Sequence, residues 1–205
     1  MPLSQPEART LQHSRDITLR GYEREDGSFD IEARLTDTKA YPLPNLDRGT
    51  LMPGEALHDM WIRLTVDAEM LILSCEAATD SSPYSICPDI APNFARLAGI
   101  RIGPGFNRAV KERVGGTEGC THLRELLAQM ATVAYQTLHS ARTRRRRQAG
   151  EGEPPLSPAI LGTCHAYAPD SPVVRRRKGS HAGAARCSRT LPGRAGSCPT
   201  GARPP

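Results

Sequence analysis

An α+β fold is predicted for this chain: an antiparallel sheet of three to four strands, covered on one face by helices. Three observations predict it. Before residue 80, apolar and polar residues alternate in two successive hairpin-like pairs. After it, the apolar period lengthens to that of a helix. The two regimes follow one another without the interleaving of a βαβ chain.

Ile17 to Tyr22 and Phe29 to Leu35 make the first pair, with Asp26-Gly27 as the turn. Phe29, Ile31, Ala33 and Leu35 alternate with Asp30, Glu32 and Arg34, which leaves one face apolar and the other wet. A loop rich in Pro and Gly, Tyr41 to Glu55, leads to the second pair. There Met60, Ile62, Leu64 and Val66 alternate with Trp61, Arg63 and Thr65, and Asp67-Ala68-Glu69 turns the chain. Leu71, Leu73, Cys75 and Ala77 share the next inward face, so the pairs form one antiparallel sheet. Ile86, Ile90, Phe94 and Leu97 then recur at helical spacing, with Pro88 and Pro92 limiting the start. Asn107 to Val114 reads as a short helix stopped by Gly115-Gly116, which suit a left-handed cap. The longest stripe, Leu123, Leu126, Leu127, Met130, Ala131, Ala134 and Leu138, predicts a helix over Thr121–His139.

The domain organisation follows: an α+β domain over 14–141, a linker over 142–160, a short appended segment over 161–177, and a basic tail over 178–205. The tail holds Gly, Ala, Arg, Ser and Pro with almost no large apolar residue, too little to offset its ordering entropy, and is expected to be disordered. Its composition is also that of GC-rich DNA translated out of frame, which suggests a frameshift product. Recovery of the same reading frame from independent isolates would count against that hypothesis.

The net charge of +5 conceals a division. Residues 1–141 contain 14 Lys/Arg against 19 Asp/Glu, and the remainder 13 against 3. An acidic body argues against nucleic-acid binding, except for non-specific attraction through Arg144–Arg147 and Arg175–Lys178. Met1 to Thr10 has no signal-peptide pattern, and no stretch approaches the roughly 18 apolar residues of a membrane span. A cytoplasmic location is expected, in which the six cysteines stay reduced as ligands, nucleophiles or core residues. A protein partner is compatible with such a surface; none is specified.

Three polar positions sit where a periodic segment begins or ends, the places where folds leave chemistry accessible: His58-Asp59, Cys87 and Gly119-Cys120-Thr121-His122. Cys120 enters a long helix, whose unpaired N–H groups and dipole favour a thiolate; the alternative is a small cysteine packed under the turn. His122 lies two positions on, and i,i+2 side chains do not face each other inside a helix. Joint ligation therefore requires Cys120 outside the spiral, with Thr121 as cap. Otherwise His122 is a polar first-turn residue. Cys87 opens a helix after Ser81-Ser82-Pro83, Cys75 belongs to the core, and Cys164-His165 lies too far along the chain to be diagnostic. The Gly-rich run before Cys120 lacks the Lys and Ser/Thr of a phosphate loop.

Three functions follow from these residues. Asp59, Cys87 and Cys120, with His122 and His58, are candidate ligands of one metal, and their mixed S/N/O donors suit zinc or iron. Cys120 is alternatively a catalytic thiol, with His122 or His58 as base and Asp59 as orienter. In the third, a structural or interaction domain, every one of these groups is satisfied locally.

Arg20-Gly21-Tyr22, Asp30-Ile31-Glu32 leading into Leu35-Thr36-Asp37-Thr38-Lys39, and His58-Asp59-Met60-Trp61-Ile62-Arg63-Leu64-Thr65 resemble a proteobacterial family, domain of unknown function 2889. The resemblance continues through Gly115-Gly116-Thr117-Glu118-Gly119-Cys120-Thr121-His122-Leu123 and Thr163-Cys164-His165-Ala166, covering about 14–177. It implies a family and no activity, and the tail after Lys178 departs from the short aromatic ending it leads one to expect. A looser resemblance, of layout over about 57–139, is to iron–sulfur scaffold proteins of the NifU type. Asp59, a strand hairpin, Cys87, a helix, and Cys120 with His122 before the last helix follow that order. Leu57-His58 stands where that layout has its first cysteine, so a mononuclear site fits better than a cluster.

Overall fold

The computed structural model describes residues 3–151 and 156–177; the expectations for the tail at 178–205 lie outside them. Strands β1 (His13–Glu23) and β2 (Phe29–Lys39) form the first hairpin. A short ribbon, β3 (Leu43–Asn45) and β4 (Gly49–Leu51), occupies the Pro/Gly-rich loop, and β5 (Ala56–Val66) and β6 (Ile72–Ser81) form the second hairpin. The sheet order is β1-β2-β5-β6, antiparallel throughout. The α+β fold with its four-stranded antiparallel sheet is thus present, with a second small sheet added.

Alternation decides which face is buried. Phe29, Ile31, Ala33 and Leu35 on β2 and Met60, Ile62, Leu64 and Val66 on β5 are almost wholly removed from water. Their neighbours carry charge to the open face, where Arg63 bridges Glu32 and Glu76 at 2.8 and 3.2 Å. On β6 the expected inward set is corrected. Ile72 is buried and Leu73 is 49% exposed, because the register with β5 shifts between Thr65 and Val66. The bulge adds one residue and reverses the facing of those before it.

Helices pack on the apolar face. Cys87–Leu97 is a 3-10 segment, not the α-helix its spacing suggests. Pro at its start and Pro92 within remove N–H donors that an α-helix would use. Ala91, Phe94 and Leu97 are buried, whereas Ile86 falls outside it at 72% exposure. Helix α1 (Phe106–Val114) follows, then α2 (Thr121–Gln148), which buries Leu123, Leu126, Leu127, Met130, Ala134 and Leu138. Where α2 crosses β1, Gly21 is required, since a Cβ there would lie 2.0 Å from Thr137 Oγ1.

α2 runs on through Arg144–Arg147, which the sequence reads as linker. Arginine is a good helix former, and cations are favoured at a helix C-terminus. Glu23 accepts ion pairs from both Arg144 and Arg145. The chain divides into compact units at 1–145 and 146–205. Within the second, 3-10 turns occur at Pro158–Ile160 and His165–Tyr167, and Ser171 Oγ accepts from the Val174 N–H at 3.2 Å. No helix among the described residues is long and apolar enough to cross a membrane.

Candidate functional site

The buried alternation of β2 does not end at Leu35. Its next inward position is Asp37, a carboxylate 1% exposed, and the inward series of β5 begins at His58. Cross-strand register pairs Arg15 with Asp37 and Asp37 with His58, so three polar residues from three strands form one row at the end of the core. A bulge between Asp37 and Thr38 lies beside them, a common feature at functional edges.

Asp37 is fully engaged. Oδ1 accepts from Arg15 Nε at 2.8 Å, Oδ2 accepts from Arg15 Nη2 at 2.8 Å and from His58 Nδ1 at 2.9 Å, and His13 Nε2 lies 3.2 Å from Oδ1. Burial alone would raise its pKa, but the Arg15 fork and His58 outweigh that and hold it below the usual carboxylate range. Because Asp37 is then ionised and can only accept, His58 Nδ1 carries the proton and its Nε2 keeps a lone pair. The pKa of Arg15 is raised in turn, chiefly by its hydrogen bonds to Asp37.

The start of α2 closes the site from above. Gly119 lets the chain enter, since a Cβ there would lie 2.1 Å from the Val114 carbonyl oxygen. Replacing Gly119 with alanine is expected to destabilise the domain by about 1–3 kcal/mol, as overpacking does, read as a lower urea midpoint with unchanged slope. Cys120 takes the cap position, its carbonyl accepting from the Arg124 N–H at 2.9 Å. The thiol therefore lies outside the spiral, with Thr121 as the first helical residue. His122 reaches down onto the strand row, its ring centroid 3.9 Å from that of His58 and tilted by 35°.

Both histidines are disposed to be neutral. Burial depresses the pKa of His58 first, then repulsion from His122, against the opposing pull of Asp37. Burial also depresses that of His122, followed by repulsion from Arg15. Ligand atoms of Asp37, His58 and His122 all lie within 4.8 Å of one another.

The expected meeting of Asp59, Cys87 and Cys120 is not what the fold makes. Asp59 follows His58 and so faces the opposite side of the sheet. There Arg34 grips it at 2.8 and 2.6 Å, holds its carboxyl below the usual range, and stacks 4.6 Å over Trp61. Cys87 stands half-buried at the start of the 3-10 segment. Cys120 Sγ lies 3.9 Å from His122 Nδ1 and 4.0 Å from Met60 Sδ. Among the described residues, the group of three close ligands includes none of these three. Of the sequence candidates, the fold joins His58 and His122. Cys75 is in the core as expected, its thiol pushed up to about 12 by burial.

Asp37 and Arg15 were missed. The signal was present: counting by twos from Phe29 reaches Asp37 on the inward face, where a carboxylate requires a partner. No curated protein and no solved structure matches the chain, which leaves the NifU-type layout without a matching structure. Residues 13–136, containing every member of the site just described, match the family model "Protein of unknown function (DUF2889)", and the chain belongs to that family.

Proposed function

We propose that this domain binds a transition-metal ion between β2, β5 and the start of α2, with His58 and His122 as direct ligands. The observation that carries the reading is the convergence of two imidazoles and a carboxylate within 4.8 Å, from three separate elements. Donors at about 2.0–2.3 Å from one ion stand about 3.3–4.0 Å apart, a spacing of the same order as the 4.8 Å within which these groups lie. Neutral imidazoles are the form a metal needs. The Asp37 contact to His58 Nδ1 is the outer carboxylate that orients a ligating histidine and raises its basicity. The class of function matches the sequence expectation of zinc or iron; the ligand set is different.

The Arg15 fork favours a second reading, a purely structural polar cluster, because it already neutralises Asp37. Metal analysis of anaerobically purified protein, with cobalt(II) titration, separates the two. Binding of one ion, weakened more than tenfold in His58→Ala and in His122→Ala, is expected. Absence of any bound ion in the unaltered protein would sink the proposal. A thiol enzyme is less well supported, since Cys120 Sγ is 3.9 Å from His122 Nδ1, too long for a strong activating hydrogen bond.

A further inference from the structure

We infer that the ion held here is copper(I), with the sulfurs of Cys120 and Met60 completing the ligand set. The inference rests on the metal-binding reading above and specifies which metal the site selects. Two side chains two positions apart on β5, His58 and Met60, share the inward face. Two residues two positions apart at the entry to α2, Cys120 and His122, lie over them. His122 stacks on His58 at 3.9 Å between ring centroids, and Cys120 Sγ meets Met60 Sδ at 4.0 Å. The two pairs are joined by the Cys120 Sγ to His122 Nδ1 approach of 3.9 Å.

The chemistry of the donors is selective. Thiolate and thioether sulfur are soft ligands, and two imidazoles, one cysteine and one methionine are the set that proteins use for copper. Zinc takes cysteine, histidine and carboxylate donors. Donors about 2.3 Å from an ion stand about 4.0 Å apart, so the sulfur pair, in contact at 4.0 Å, could share one without rearrangement. Packing alone does not call for sulfur at residue 60, because the next two inward positions of β5 are Ile62 and Leu64. Cys120 is only half-buried, so an ion has a way in at the helix start.

Copper(I) titration of the full chain against a coloured chelator, under anaerobic conditions and beside a parallel zinc(II) titration, tests this. Cys75, Cys87 and Cys164 are also free thiols, so the variants carry the assignment. One tight copper(I) equivalent is expected, weakened at least tenfold in Met60→Leu and at least a hundredfold in Cys120→Ser. Zinc(II) binding should change less than twofold in Met60→Leu, and its circular dichroism should match the unaltered protein. Copper(I) affinity indifferent to both substitutions overturns the inference. If zinc(II) or cobalt(II) binding is still lost in His58→Ala, the metal-binding reading survives that result. A chain that takes up none of these ions overturns both.

Discussion

Replacing Asp37 with alanine is expected to destabilise the domain by about 3–5 kcal/mol, the cost of leaving a buried charge unpaired. The carboxylate is 1% exposed and receives the Arg15 fork, His13 and His58 at once. Removing it leaves the half-buried Arg15 guanidinium beside two imidazoles, with Glu125 at 3.1 Å as its remaining counter-charge. Asp37→Asn keeps the shape but not the charge, and is expected to recover part of the loss. Asp59→Ala is the matched control: its Arg34 partner lies on the open face, 44% exposed, where such pairs contribute about 0–1 kcal/mol. Urea denaturation of the three variants, in the presence of a chelator, measures the contrast. Equal losses for Asp37→Ala and Asp59→Ala would mean that the row Arg15–Asp37–His58 is not a buried network.

The strands were legible because alternation by twos is a direct consequence of one buried face. The same rule, continued two residues further, reaches Asp37; it also separates His58 from Asp59, which adjoin in sequence and part in space. Reading chemistry from segment ends, without following the facing of each residue, grouped Asp59 with the thiols. The partnership of Arg15 with Asp37 follows from the hairpin turn at Asp26-Gly27, which fixes the register of the first pair. That of Asp37 with His58 does not. The two strands are linked through the β3–β4 ribbon and a bulge, and no local signal sets their offset. The α2 extension was hidden for another reason. A run of arginines reads as a solvated linker by charge, yet each is a good helix former, and Glu23 on β1 supplies counter-charge from far along the chain.

The stability of the metal-free domain is expected to fall as pH drops below about 6.5, the unfolded histidine value, and to fall again in the acid range. The direction follows from which state holds more protons. Burial, mutual repulsion and Arg15 depress both histidines in the folded chain. Between the folded and unfolded values the unfolded chain therefore binds more protons, and acid favours it. Stability is full above the unfolded value and lost as pH falls through the folded one. Each proton contributes a slope of at most about 1.4 kcal/mol per pH unit, so about 3 kcal/mol per unit is the upper limit for two histidines. Arg15, Asp37 and Glu125 also border the pair and set the balance: Arg15 repels a proton there, while Asp37 and, for His122, Glu125 attract one. Asp37 contributes to the second fall, together with the other depressed carboxyls such as Asp59: each stabilises the fold above its unfolded value of about 4. Unfolding free energies measured from pH 8 to pH 2 in a chelating buffer give the curve. In His58→Gln/His122→Gln the upper slope should vanish while the lower one persists. An upper slope unchanged in that variant would assign the pH dependence to groups outside the site. Zinc(II) or copper(I) added to the unaltered protein should move the upper fall to lower pH, because each ion competes with the same protons for the same nitrogens.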